Sequence, residues 1–234
     1  MGAPADGGAS ALSMLLWTGP IGIALVLLGF FIMAGFIPPP APTLSTPETA
    51  ALWAQNTGLK QLGMIVCIWG GVLYIPFTVG ISFVLRRTER TPILTVAQAA
   101  LGAFGTVFFS LNFLMLAMAP YRLDVDPASV QGLHDLGFAI TFTAVQPFTF
   151  QYLLIGMAIL RDRSPAPAFP RWIGYTNLWV GVLLVPACFI PLVKTGLLAW
   201  NGLLSFWIPV AVFVGWFFLM FWAARRAALL QRAS

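Results

Sequence analysis

The run QLGMIVCIWGGVLYIPFTVGISFVLRR, residues 61–87, carries no charged side chain before its closing arginines, Arg86 and Arg87. A helix rises about 1.5 Å per residue, so roughly 20 apolar residues cross the hydrocarbon core of a bilayer, about 30 Å thick. Residues 61–85 exceed that length and have no charged face to turn toward water, so they read as a transmembrane helix.

Five further runs follow the same pattern, at residues 14–36, 94–119, 136–160, 172–193 and 203–224. The expected fold is an all-α membrane protein, a polytopic bundle of six transmembrane helices forming one domain over residues 1–234. Composition agrees: 59% of residues are hydrophobic and 8% charged, against about 45–50% and 25% in a soluble domain. Barrel strands are excluded because they are about 10 residues long and alternate apolar with polar.

A net charge of +5 would point to nucleic acid in a soluble protein, but here bases are read by side of the membrane. Arg86, Arg87, Arg90, Arg161, Arg163, Arg171, Arg225, Arg226 and Arg232 fall on one side. The other side receives Lys60, Arg122 and Lys194 with Glu48, Asp124, Asp126 and Asp135. The positive-inside rule then puts both termini in the cytoplasm. The first run lacks the basic flank of a signal peptide, its core runs past about 20 residues, and it reads as an uncleaved anchor. Expected partners are the lipid bilayer, a neutral or apolar small molecule and other membrane subunits, with no nucleic acid.

The connection 37–60 opens with Pro38, Pro39 and Pro40, which favour an extended exit from the bilayer. Thr46, Pro47 and Glu48 then give a hydroxyl cap, a first-turn proline and a first-turn acid. The spacing predicts a short helix to about Asn56, stopped by Gly58 and lying on the membrane surface with Leu52 and Trp53. Asp126 and Pro127 predict a second short helical turn ending near Gly132. Both segments read as capped connectors or as a lid over a cavity.

Each of the second, fourth and sixth runs holds an aromatic residue or amide shortly before a proline, at Tyr74–Pro76, Gln146–Pro147 and Trp207–Pro209. This hints at duplication, although the distance from proline to arginine varies. Cys67 and Cys188 fall at similar depth, which suits a disulfide or two small packing residues.

Within the runs, small and hydrogen-bonding residues recur at helical spacing: Cys67, Gly71, Tyr74, Thr78 and Ser82 in the second, Gln98, Gly102, Gly105 and Asn112 in the third, and Asn177, Gly181, Cys188 and Pro191 in the fifth. Such stripes face other helices, because glycine admits close backbones and amides bond across the seam. Packing accounts for them. A functional reading adds depth, since Tyr74, Gln146, Pro76, Pro147 and Pro186 lie near the midplane, where proline-broken helices form transporter sites. That reading predicts a small ligand cavity lined by Tyr74, Asn112, Gln146, Gln151 and Asn177. Gln146 and Gln151 are separated by about 140° on an ideal helix, so one of them is expected to serve packing instead.

No ionisable residue sits in the middle of any run. Ion-coupled transport is thereby disfavoured and a Schiff-base lysine for retinal is missing. One histidine cannot supply paired haem ligands, and no multi-ligand metal site can be drawn. His134 with Asp124, Asp126 and Asp135 suits a surface cation, or simply the capping and hydration of a polar loop. Phosphate loops and nucleophile elbows do not occur. No catalytic residue, cofactor or metal is therefore expected. Trp17, Trp53, Trp172, Trp200 and Trp222 fall near the ends of runs, as interfacial anchors do, while Trp69, Trp179, Trp207 and Trp216 lie deeper, for ring stacking or core packing.

The stretches FPRWIGY at 169–175, KTGLLAWNG at 194–202 and FWIP at 206–209 resemble a group of small six-helix inner-membrane proteins of actinobacterial type. The resemblance spans residues 47–225 and implies a bacterial plasma membrane; it implies no activity, cofactor or catalytic residue. Asn201–Gly202 with Lys194 reads as a tight turn closing the fifth run. Three functions remain open: binding or permeation of a neutral or apolar small molecule, an accessory subunit whose inward face only packs, and, least favoured because acid, base and metal ligands are missing, a lipid-modifying enzyme.

Overall fold

A computed structural model describes residues 5–86 and 92–233. Arg87 and Arg90 lie outside the described residues, as does the side chain of Arg232. The described residues are helical with no strand, and six helical stretches are long and apolar enough to cross a membrane: Gly8–Met33, Thr57–Leu85, Ile93–Arg122, Pro127–Arg161, Arg171–Leu192 and Leu203–Leu230. These six spans are built from α1 (Ala5–Leu27), α3 (Thr57–Val72) with α4 (Tyr74–Leu85), α5 (Ile93–Met118), α6 (Pro127–Thr143) with α7 (Gln146–Arg161), α8 (Arg171–Leu184) and α9 (Ile208–Ala233), while α2 (Thr46–Ala54) lies in the connection after the first span. Each span packs on its sequence neighbours and the sixth returns to the first, closing a ring.

The spans are less regular than their hydropathy suggests. A π-helical turn, Leu28–Met33, ends the first, and another, Leu203–Trp207, begins the sixth. The second is interrupted at Leu73, the fourth between Thr143 and Gln146, and the fifth tightens to a 3-10 helix over Val185–Leu192. Pro147 and Pro186 stand at the start of the resumed segments, where a missing amide hydrogen leaves no intrahelical bond unmade. The small-residue stripes do face inward: Cys67, Tyr74, Thr78, Gln98, Asn112 and Asn177 are all buried. The fifth-span stripe drifts, because a 3-10 helix turns faster than an α-helix, and Pro191 emerges on the surface.

Glycine sets the closest contacts. Gly22 of α1 and Gly29 of the π-turn that follows it face Gly70 and Gly63 of α3, and a Cβ added to Gly22 would lie 2.7 Å from the Gly70 carbonyl oxygen. Gly156 of α7 and Gly174 of α8 meet similarly, with Gly181 against the Thr149 carbonyl. In lipid no water-driven force presses helices together, so backbone contact of this kind carries dispersion energy that larger residues would forfeit.

The end bearing α2 is covered by packed protein. Ser45 caps α2, one residue earlier than expected, and its amide and hydroxyl bond the Glu48 carboxylate at 2.8 and 2.7 Å. These two bonds hold the Glu48 carboxyl below the usual range. α2 packs on α6 and turns Trp53 inward. Thr46 bonds Gln131, and Trp53 is fully buried with its Nε1 donating to His134 Nδ1 at 3.1 Å. His134, expected as a hydrated loop residue, is thus 1% exposed, because α2 folds back over it and Phe138 and Trp200 close on its ring. The turn expected to end at Gly132 is instead the opening of α6, which Asp126 caps through the Ser129 amide. The 194–202 connection is drawn into the same cover by the Trp200 indole, which donates to the Pro40 carbonyl at 2.7 Å.

Three of the four deep tryptophans face outward: Trp69 is 70%, Trp179 66% and Trp207 40% exposed, and Trp216 alone is in the core. The cysteines are free.

Gly29→Ala is expected to destabilise the protein by about 1–3 kcal/mol, the range for overpacking a filled contact, whereas Gly215→Ala, which meets nothing within 4 Å, should be neutral. Thermal unfolding of both variants in one detergent checks this.

Candidate functional site: an apolar cavity at four helix irregularities

An α-helix in hydrocarbon satisfies its own backbone, and departures from it are tolerated at depth only inside protein or along a cavity. Four of the departures converge. The π-turn of the first span supplies Phe30 and Phe31, that of the sixth supplies Phe206, the break in the fourth supplies Phe142, Val145 and Phe148, and the end of α8 supplies Leu184. They surround a cavity of about 90 Å³, completed by Phe109 and Phe113 of α5 and by Pro209, Val210, Phe213 and Val214 of the sixth span. π-turns of this kind are rare and recur at functional sites.

The walls are aromatic. Phe142 and Phe206 have ring centroids 5.1 Å apart, Phe148 and Phe213 5.6 Å, and Phe30 and Phe113 6.1 Å. Among the lining residues Thr141 alone is polar, and its hydroxyl is already donated to the Gly137 carbonyl at 2.7 Å. Leu27, Phe31, Val210 and Val214 are half-buried and form a rim between the first and sixth spans. Beneath the cavity a crevice of about 10 Å³ continues past Gly70 and Gly71 to Tyr74. A space so lined offers dispersion contacts and no directional recognition, so it suits an apolar group and leaves water without partners.

The hydrogen-bonding residues lie below it in a compact cluster. Tyr74 donates to Gln151 Oε1 at 2.6 Å, and Gln151 Nε2 donates to the Thr78 hydroxyl at 2.6 Å and to Gln98 Oε1 at 3.1 Å. Thr78 in turn donates to Gln98 Oε1 at 3.1 Å, and Gln98 Nε2 to the Ser82 hydroxyl. The cluster ties α4, α5 and α7 together, and Gly102 makes the room, since a Cβ there would sit 2.7 Å from Gln151 Nε2. Trp216 covers it, with its ring 4.3 Å from that of Tyr152.

The five residues expected around one cavity are therefore distributed. Tyr74 and Gln151 come together, and Tyr74 reaches the crevice. Asn112 bonds Thr141 at 2.6 Å, joining α5 to α6 behind the cavity wall. Asn177 accepts from Trp216 Nε1 at 2.8 Å and donates to the Ile173 carbonyl, holding α8 to α9. Gln146 stands exposed on an outer groove of about 710 Å³ between the third and fourth spans, beside Phe104, Phe108 and Phe150. Both lie in the unbroken α7, so their separation of about 140° persists, and Gln151 turns in while Gln146 faces out. Sequence reading missed the phenylalanine walls, because phenylalanine at depth looks the same facing lipid or cavity and a π-turn has no residue signature. Thr78 and Gln98 were visible as inward stripe members, though not as partners of Gln151.

Among the described residues no three His, Cys, Asp or Glu side chains gather as metal ligands. No protein-family model, curated protein or solved structure matches the chain.

Gln151→Leu leaves Tyr74 without an acceptor in an apolar interior and is expected to lower stability by about 1–2 kcal/mol. Gln98→Leu added to it should have little further effect, because both substitutions dismantle one network. Comparing unfolding of the two single variants and the double variant measures that coupling.

Proposed function

We propose that this protein binds a neutral, apolar small molecule in the cavity between its first and sixth spans, as a multi-pass protein of a bacterial plasma membrane with cytoplasmic termini. The observation that carries the reading is the convergence of two π-turns, a proline-flanked break and a 3-10 transition on one aromatic-walled space. Helix distortion in a bilayer is unfavourable, and distortions at four separate points of the chain share this one destination. The cavity, about 90 Å³, is smaller than the roughly 150 Å³ apolar cavity that accepts benzene or xenon, so the bound group is compact: a small ring or the end of a lipid chain. Its rim of Leu27, Phe31, Val210 and Val214 faces the bilayer side of the bundle, where apolar solutes concentrate, so entry requires no aqueous path.

Photolabelling with a diazirine-bearing dodecanol tests the proposal. Label is expected in peptides holding Phe31 and Val210, and Val210→Trp, which fills the mouth, should cut labelling at least fivefold while the protein stays folded. Unchanged labelling of Val210→Trp, or label spread evenly over exposed residues, sinks the reading.

The exposed Gln146 favours a second role, as a subunit. An amide in a lipid-facing apolar groove has unmet hydrogen-bonding capacity that a neighbouring membrane protein would satisfy. On that reading Gln146→Leu shifts the native mass-spectrometric distribution toward the lone chain, and an unshifted distribution removes it.

A further inference from the structure

We infer that the chain is two inverted copies of a three-helix unit, spans one to three and spans four to six, and that exchange of their conformations moves the cavity from one side of the bilayer to the other. The transport step rests on the cavity being a binding site; the repeat does not.

The repeat is written in the helix contacts. The first span carries Pro20, Gly22 and Gly29, and the fourth carries Pro147, Thr149 and Gly156, with the same spacing of two and then seven residues. The second span carries Gly63 and Gly70, and the fifth Gly174 and Gly181, again seven apart. Their pairing is equivalent as well: Gly22 meets Gly70 and Gly29 meets Gly63, just as Thr149 meets Gly181 and Gly156 meets Gly174. Shortly beyond Gly70 the α-helix stops at Val72, and shortly beyond Gly181 it stops at Leu184. The third members, α5 and α9, are both 26 residues long. Each copy holds three spans, an odd number, so the two copies enter the membrane from opposite sides, the arrangement from which alternating access is built.

Under this equivalence the seam between the first and sixth spans corresponds to the seam between the fourth and third. The two are in different states. The first and sixth spans touch toward the termini, where Trp17 and Phe221 have ring centroids 4.6 Å apart, and toward the α2 end they meet through rings around the cavity, with Phe31 and Phe206 at 6.3 Å. The third and fourth touch toward the α2 end, where Asn112 bonds Thr141 at 2.6 Å. Toward the termini, where an equivalent gap would open, Gln151 bonds Gln98 at 3.1 Å and the seam is shut. The backbone differs at matching residues: the π-turn of the first span begins beside Gly29, while α7 runs straight through Gly156. At this depth one seam encloses the cavity and the other is filled by the Gln98–Gln151 contact, the outer groove beside Gln146 lying nearer the α2 end. Reversal requires the Gln98–Gln151 contact to part as the first and sixth spans close, and hydrogen bonds between membrane helices are weak enough to break thermally.

Pulsed electron spin resonance on full-length protein in nanodiscs tests this, with Cys67→Ala and Cys188→Ala removing native thiols. Spin labels at the exposed pair Ile32 and Leu203 report the α2-end gap, and at the exposed pair Val96 and Met157 the gap at the other end. Two populations are expected at each pair, changing in opposite directions, with dodecanol altering their ratio at least twofold. Gln98→Leu with Gln151→Leu should enrich the form in which 96–157 is long and 32–203 short. If both pairs hold a single unchanged distance in the wild type with and without dodecanol and in the double variant, or move together, the exchange is overturned. If the pairs move oppositely while photolabelling finds no bound dodecanol, the binding reading falls and the repeat with its exchange stands.

Discussion

A peptide group in hydrocarbon has no water to bond, and this constraint orders the molecule. It makes the spans helical, and four of the deviations turn part of their length toward one shared interior space. Ring closure of six spans creates such a place between the first and sixth, and the π-turns at Leu28–Met33 and Leu203–Trp207 face it from two sides. Phenylalanine fills the space around them because it offers large dispersion area and no polar atom in need of a partner. A cavity remains where the rings cannot close.

The remainder of the bundle is arranged to let that region be irregular. Glycine seams between α1 and α3, and between α7 and α8, bring backbones into contact and make two stiff hairpins. Amides then fasten the third and sixth spans to the second of these: Gln98 of α5 with Gln151 of α7, Asn112 of α5 with Thr141 of α6, and Asn177 of α8 with Trp216 of α9. None of these amides lines the cavity, so the polar residues act as fasteners and the binding surface is apolar. At the α2 end, Trp53, His134 and Trp200 replace the hydrated loop that their flanking charges suggest, sealing the bundle with indole donors matched to acceptors.

Hydropathy and helix length were enough to determine six membrane spans, because the thickness of a bilayer imposes one length on every crossing helix. The inward stripes of Cys67, Tyr74, Thr78, Gln98, Asn112 and Asn177 were also legible, since helical period alone places small and polar residues on a common face. Tertiary structure alone decided which of them meet. Gln151 finds Tyr74 and Gln98 while Gln146, five residues before on the same unbroken helix, turns to the surface, because the packing of α7 on α4 and α5 decides which of the two faces inward. The cavity was decided the same way: its phenylalanines are indistinguishable in sequence from lipid-facing ones, and only the packing of spans distant along the chain determines which rings enclose a space.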